Sequence, residues 1–157
     1  MRDSDLVGLR EFLDKALLQI PHLVDNLKVP WTAEDFSEAN KVRQATVNAL
    51  WRFMSKYDLL LTPVNAHPAI PHGYYMPPEI NGVAIDPGEM PPFTGIFNWT
   101  GQPAASVPAG LTRAGLPVGL QIVGRHLDDA MVMRAAAAFE KARPWKHLWP
   151  EIVAEAA

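Results

Sequence analysis

Two histidines five residues apart, His67 and His72, stand in a stretch that also holds Glu79, Asp86 and Glu89. Two imidazoles and a carboxylate are a donor set for zinc or a similar metal, and a small metal hydrolase is one reading of them. No helical or hairpin spacing draws these residues together, so polar loop residues are the simpler reading. Among the four serines, Ser4, Ser37, Ser55 and Ser106, only Ser106 lies in a strand-like run. Its neighbours Ala105 and Val107 do not form the Gly-x-Ser-x-Gly elbow that exposes a hydrolase nucleophile, and a buried strand serine bonded to backbone is expected. Asp128 and Asp129 are adjacent carboxylates, but ahead of a helical pattern they read as capping and dipole residues. Tyr74, Tyr75, Phe93, Phe97 and Trp99 are able to wall an apolar pocket with Thr94 and Asn98 as its polar contacts, or simply to fill core. No Gly-x-Gly-x-x-Gly or Walker-type loop is present to cradle phosphate. On residue types and spacing alone, no complete catalytic set emerges.

The elements that must position these residues fall into three stretches. A helix is predicted over residues 4–20, where Leu6, Leu9, Leu13, Leu17 and Ile20 share a face and Pro21 stops the run. A second is predicted near 32–56. It opens on the capping pair Thr32 and Asp35 and carries a wide apolar face that includes Phe36, Val42, Leu50, Trp51 and Met54. A third is predicted near 128–142 and ends at Pro144. Strands are predicted at 59–63, 104–112 and 117–124. They are apolar at nearly every position, the pattern of strands covered on both faces. Arg113, Ala114 and Gly115 make a short hairpin loop between the last two, and Pro108 and Pro117 imply a bulge or an edge. Eleven of the fifteen prolines lie between Pro63 and Pro117, and residues 64–100 read as one long Pro/Gly-rich loop that carries enough apolar residues to be packed.

Composition excludes several classes. The 157 residues include no cysteine, which removes a disulfide framework, a cysteine nucleophile and an iron–sulfur cluster. A formal charge of −3 gives no footprint for nucleic acid, and no apolar run approaches the length of a membrane span. No cofactor is implied, and a soluble, cytoplasmic protein is the expectation.

Two blocks carry a family likeness. The first is Phe93-Thr94-Gly95-Ile96-Phe97-Asn98-Trp99-Thr100-Gly101-Gln102-Pro103-Ala104-Ala105-Ser106-Val107-Pro108. The second is Gly115-Leu116-Pro117-Val118-Gly119-Leu120-Gln121-Ile122-Val123-Gly124-Arg125. Together with the strand that ends Leu60-Leu61-Thr62-Pro63, they resemble the carboxy-terminal region of the amidase signature family, a likeness that runs from about residue 30 to 149. The resemblance implies an α/β fold, part of a larger α/β/α mixed-sheet domain, so that residues 1–157 form one segment of it. It also implies hydrolysis of, or transfer from, carboxamides by a Ser-Ser-Lys triad through an acyl-enzyme. This sequence has no Ser-Ser pair and no Gly/Ser-rich stretch, and Lys15, Lys28, Lys41 and Lys56 match nothing catalytic. No catalytic residue is therefore carried over, and the chain alone is predicted to be inactive. Asn98, Gly101, Pro103 and Pro108 match turn and bulge positions of the family pattern. Phe93, Thr94 and Phe97 match a region that lines the acyl pocket in similar enzymes. The implied partners are an amide small-molecule substrate in the intact enzyme and the missing amino-terminal portion, or self-association. The alternative is a free-standing, non-catalytic scaffold or interaction module derived from an amidase.

Overall fold

The computed structural model describes residues 29–72, 77–85 and 92–148. The helix predicted over 4–20, and Tyr74, Tyr75, Asp86 and Glu89, lie outside the described residues. The chain divides into two compact units, one of residues 1–37 and 70–89, the other of residues 38–69 and 90–157.

Helix α1 spans Ala33–Met54. Its start is held as the Thr32 and Asp35 spacing requires: the Asp35 backbone N–H donates to Thr32 Oγ1, and Asp35 Oδ2 accepts from the Thr32 backbone N–H and hydroxyl. In the smaller unit, β2 (Glu79–Ile80) and β3 (Val83–Ala84) form a hairpin. Its turn carries Asn81 and Gly82 at positive φ, the pairing that two-residue hairpin turns favour.

The larger unit holds a three-stranded sheet of order β1-β5-β4, from β1 (Leu59–Pro63), β4 (Ala104–Leu111) and β5 (Pro117–Gly124). All three predicted strands are present, with β4 one residue shorter than expected, and both pairings are antiparallel. The Arg113-Ala114-Gly115 loop turns at Gly115, whose φ of +79° an L side chain rarely adopts. The register slips between Pro108 and Gly110, so the bulge falls at Pro108, on an edge strand where a missing backbone donor does little harm.

Helix α3 (Asp129–Ala142) covers one sheet face. Val107, Ile122 and Val132 form the buried centre, with Leu59, Leu120, Phe139 and Trp145 packed round it. Burying each such aliphatic side chain contributes roughly 1.5–3 kcal/mol. Strand pleating then turns Ser106 and Gln121, the neighbours of Val107 and Ile122, to the opposite face. Thr62, Gln121 and Ser106 are in register across the three strands and form a polar row there.

Residues 64–100 are not one irregular loop. Besides the β2–β3 hairpin, Pro92–Thr100 is a helix, α2. At nine residues, set among prolines and glycines, it is too short a window for its period to stand out, although Thr94 and Asn98 lie four apart on one face. Its ends obey the usual asymmetry, with Pro92 in the first turn and Gly101 just past the last at φ +77°, where Gly101 N–H donates to the Phe97 carbonyl. Asn98 is accordingly a helical residue and not a turn position. Burial on both strand faces holds for only part of the sheet: Gln121 to Gly124 of β5 are buried, whereas β1 and β4 stay largely half-exposed. The wide apolar face of α1 is likewise open at Val42 and Trp51, and among its described residues only Met54 is buried. No helix among the described residues is long and apolar enough to cross a membrane.

Candidate functional site

The candidate pocket residues sit on the first two turns of α2. Phe93 and Phe97 are four residues apart and so share a face; Phe97 is buried, and Phe93 and Thr94 are half-buried. What fixes this helix to the sheet is a residue that pattern reading passes over. Gln121 is 4% exposed. Its Nε2 donates to the Phe93 carbonyl at 2.6 Å and to Thr62 Oγ1 at 2.8 Å. Because a carbonyl only accepts, the nitrogen end of the amide must face Phe93, which settles the orientation of the amide. The Thr62 hydroxyl passes its own hydrogen to the Pro63 carbonyl at 3.0 Å. The available signal was a lone amide in the apolar run Leu120-Gln121-Ile122-Val123, since a buried polar side chain must find partners.

A second contact holds the other end of α2. Arg43 Nε on α1 donates to the Trp99 carbonyl at 2.8 Å. This satisfies a carbonyl of the last turn, where helices leave acceptors free and favour cations.

On the other side of the polar row lies a cavity of about 630 Å³ lined by Val64, His67, Ser106, Thr112, Val118 and Gly119, among others. Ser106 is exposed there, which corrects the expectation of a buried serine: the bulge at Pro108 and the bare Gly119 beside it leave its hydroxyl uncovered. His67 Nδ1 lies 2.7 Å from the Pro68 carbonyl and so is the donor in that bond, while Nε2 is buried with no partner among the described residues. His72 falls in the smaller unit and is exposed. Among the described residues, no three histidine, aspartate or glutamate side chains gather closely enough to hold a metal. Asp128 is the N-cap of α3, accepting from the Met131 backbone N–H at 3.2 Å, and Asp129 opens its first turn.

The fold and both sequence blocks place this chain in a known family. It belongs to the amidase family, whose model matches residues 9–133. It is 37% identical over 142 residues to an acylamidase of Rhodococcus erythropolis, a match that covers 90% of this chain and 29% of that protein. A fatty acid amide hydrolase of Medicago truncatula is 34% identical over 119 residues, covering 71% of this chain and 18% of that one. Among solved structures, a bacterial aryl acylamidase of the amidase signature family superposes with a TM-score of 0.68 at 35% identity, over 78% of this chain and 26% of that one. A 6-aminohexanoate cyclic dimer hydrolase superposes with a TM-score of 0.59 at 26% identity, over 73% of this chain and 25% of that one. The chain thus spans less than a third of the length of these relatives.

Proposed function

We propose that this chain serves as the carboxy-terminal part of an amidase-type hydrolase acting on carboxamides. In this reading it contributes sheet and pocket wall, and the nucleophile comes from polypeptide outside these residues. The observation that carries it is a family match over residues 9–133 in a sequence with no adjacent serines. In the proposed chemistry a serine of a Ser-Ser-Lys set attacks the amide carbon, and the lysine takes its proton through the bridging serine. The amine leaves with a proton, and water then releases the acyl group as the acid. This chain's part is to present Phe93, Thr94 and Phe97 to the acyl group and to hold α2 firmly enough to give that wall a shape. Acylamides are the favoured substrate class, because two of the matched relatives are an acylamidase and an aryl acylamidase. A cytoplasmic setting belongs to the same reading.

The test has two arms. The 157-residue chain alone should release no aniline from acyl anilides above a blank. A chimera, in which the matched segment of the Rhodococcus acylamidase is replaced by this one, should keep hydrolytic activity. Turnover that follows the pure short chain, or an inactive but folded chimera, overturns the proposal.

A second reading, a free-standing scaffold or interaction module, draws on the open apolar side chains of Val42, Trp51, Leu61, Trp99 and Val118. Size-exclusion chromatography separates the two. A clean monomer favours a self-sufficient module, whereas aggregation or obligate association favours a segment that needs the rest of its domain.

A further inference from the structure

We infer that Gln121 is the positioning residue for the pocket wall, setting where the first turn of α2 stands relative to the sheet. This rests on the proposal that Phe93, Thr94 and Phe97 form that wall. The amide has two hydrogens on Nε2, and both are spoken for: one goes to Thr62 Oγ1 on β1, the other to the Phe93 carbonyl on α2. One side chain of the central strand therefore joins an edge strand to the pocket helix. Thr62 is itself held, because its hydroxyl donates to the Pro63 carbonyl, so it meets Gln121 as an acceptor. The direction of each of these three hydrogen bonds is fixed, and Gln121 has no alternative partner arrangement that keeps Phe93 in place. The side chain is 4% exposed, so water does not replace the amide if it is lost. Helix α2 is short, nine residues, and depends on such tertiary ties.

The test reads amide hydrogen exchange on the full chain, as protection factors. Gln121→Met keeps the length and removes the donors. It should lower protection of the α2 amides about tenfold while leaving the β4–β5 hairpin amides unchanged. Gln121→Glu should regain most of the α2 protection at acidic pH, where the protonated carboxyl donates its single hydrogen to Phe93, and should fall short of the parent because no donor remains for Thr62. It should lose roughly the same tenfold as the pH rises and a carboxylate faces that carbonyl. Thr62→Val, the milder change, should loosen α2 by roughly threefold through the same amide. Unchanged α2 protection in Gln121→Met or in Thr62→Val, or a Gln121→Glu variant insensitive to pH, overturns the inference.

In the acylamidase chimera, Gln121→Met should lower the kcat/KM ratio of butyryl over acetyl anilide about tenfold. An unaltered ratio removes the pocket from the inference. An inactive parent chimera counts against the proposed function alone, and exchange at α2 still decides the role of Gln121.

Discussion

Arg125, one residue past β5, reaches Asp58 at the start of β1 with its Nη2 2.9 Å from Oδ1, and the same guanidinium closes the end of α1. Its Nε donates to the Met54 carbonyl at 3.2 Å and to the Tyr57 carbonyl at 3.1 Å. Magnitudes separate the two functions of this side chain. The ion pair is open to water, with the two side chains 45% and 74% exposed, and such pairs contribute about 0–1 kcal/mol. The Met54 carbonyl belongs to a helix end that packs through the fully buried Met54, and a hydrogen bond to it from a charged donor contributes more, about 1.5–3 kcal/mol.

Asp58→Asn should therefore change stability by no more than about 0.5 kcal/mol. Arg125→Ala should cost about 2 kcal/mol, and Arg125→Lys should recover only part of it, because an ammonium lacks the fork that serves two carbonyls and a carboxylate together. Urea unfolding followed by circular dichroism decides the matter. Equal losses in Asp58→Asn and Arg125→Ala would show that the ion pair dominates.

The cap of α3 offers a second contrast. Asp128 accepts from the Met131 N–H, whereas Asp129 lies inside the first turn and interacts only with the helix dipole. Asp128→Ala should cost about 1 kcal/mol, and Asp128→Asn almost nothing, because asparagine caps equally well. Asp129→Ala should cost about 0.3–1 kcal/mol, and only at low ionic strength. Thermal unfolding at two salt concentrations checks this, and a salt-insensitive Asp129→Ala loss would contradict it.

These elements also show what is legible in the sequence alone. The three strands, the Gly115 turn, the Pro108 bulge and the Asp128 cap are each specified by local chemistry: an apolar run bounded by proline, a glycine with positive φ, an acceptor ahead of a helical period. Helix α2 is hidden because its nine residues are too few for the period to stand out, although Thr94 and Asn98 lie four apart and Pro92 and Gly101 mark its two ends. The tie from Gln121 to Phe93 spans 28 residues, and its geometry exists only once β5 and α2 are packed. The exposure of Ser106 depends on a neighbouring glycine one strand away, which no reading of its own run reveals.

Two glycines of β5 sit where a side chain has no room, and they should differ in cost. A Cβ on Gly124 would lie 2.6 Å from Val132 Cγ2 and 3.2 Å from the Asp128 carbonyl oxygen; Val132 is 3% exposed and the backbone is fixed by the cap. A Cβ on Gly119 would lie 2.7 Å from Val64 Cγ2, 3.1 Å from Ser106 Oγ and 3.2 Å from Val64 Cβ, but these are side chains, Val64 half-buried and Ser106 exposed beside the cavity, and not fixed backbone. Gly124→Ala should destabilise by about 2–3 kcal/mol and Gly119→Ala by about 1 kcal/mol or less. Denaturant midpoints of the two variants make the comparison, and the reverse order would mean that the cavity edge is the stiffer site.

The start of α1 responds to pH in a direction that its hydrogen bonds fix. The Thr32 hydroxyl donates to Asp35 Oδ2 at 2.6 Å, and the Thr32 backbone N–H donates to the same oxygen at 2.9 Å. Both bonds favour the ionised carboxyl, so its pKa lies below the ordinary aspartate value, chiefly through the hydroxyl and then through the backbone donor. A carboxyl with a depressed folded value contributes stability above its unfolded pKa and loses that contribution as the pH falls through the folded value. The helix start is therefore fully held at neutral pH and loosens only in acid below the usual carboxylate range. Thr32→Val removes the larger of the two donors and keeps the backbone one, so it should bring the Asp35 midpoint part of the way back up. It should also move the loosening to higher pH. Carbon-13 NMR of the Asp35 carboxyl gives the midpoints directly. A parent midpoint at or above the ordinary value, or a Thr32→Val variant that titrates like the parent, would show that the hydroxyl does not hold this carboxylate.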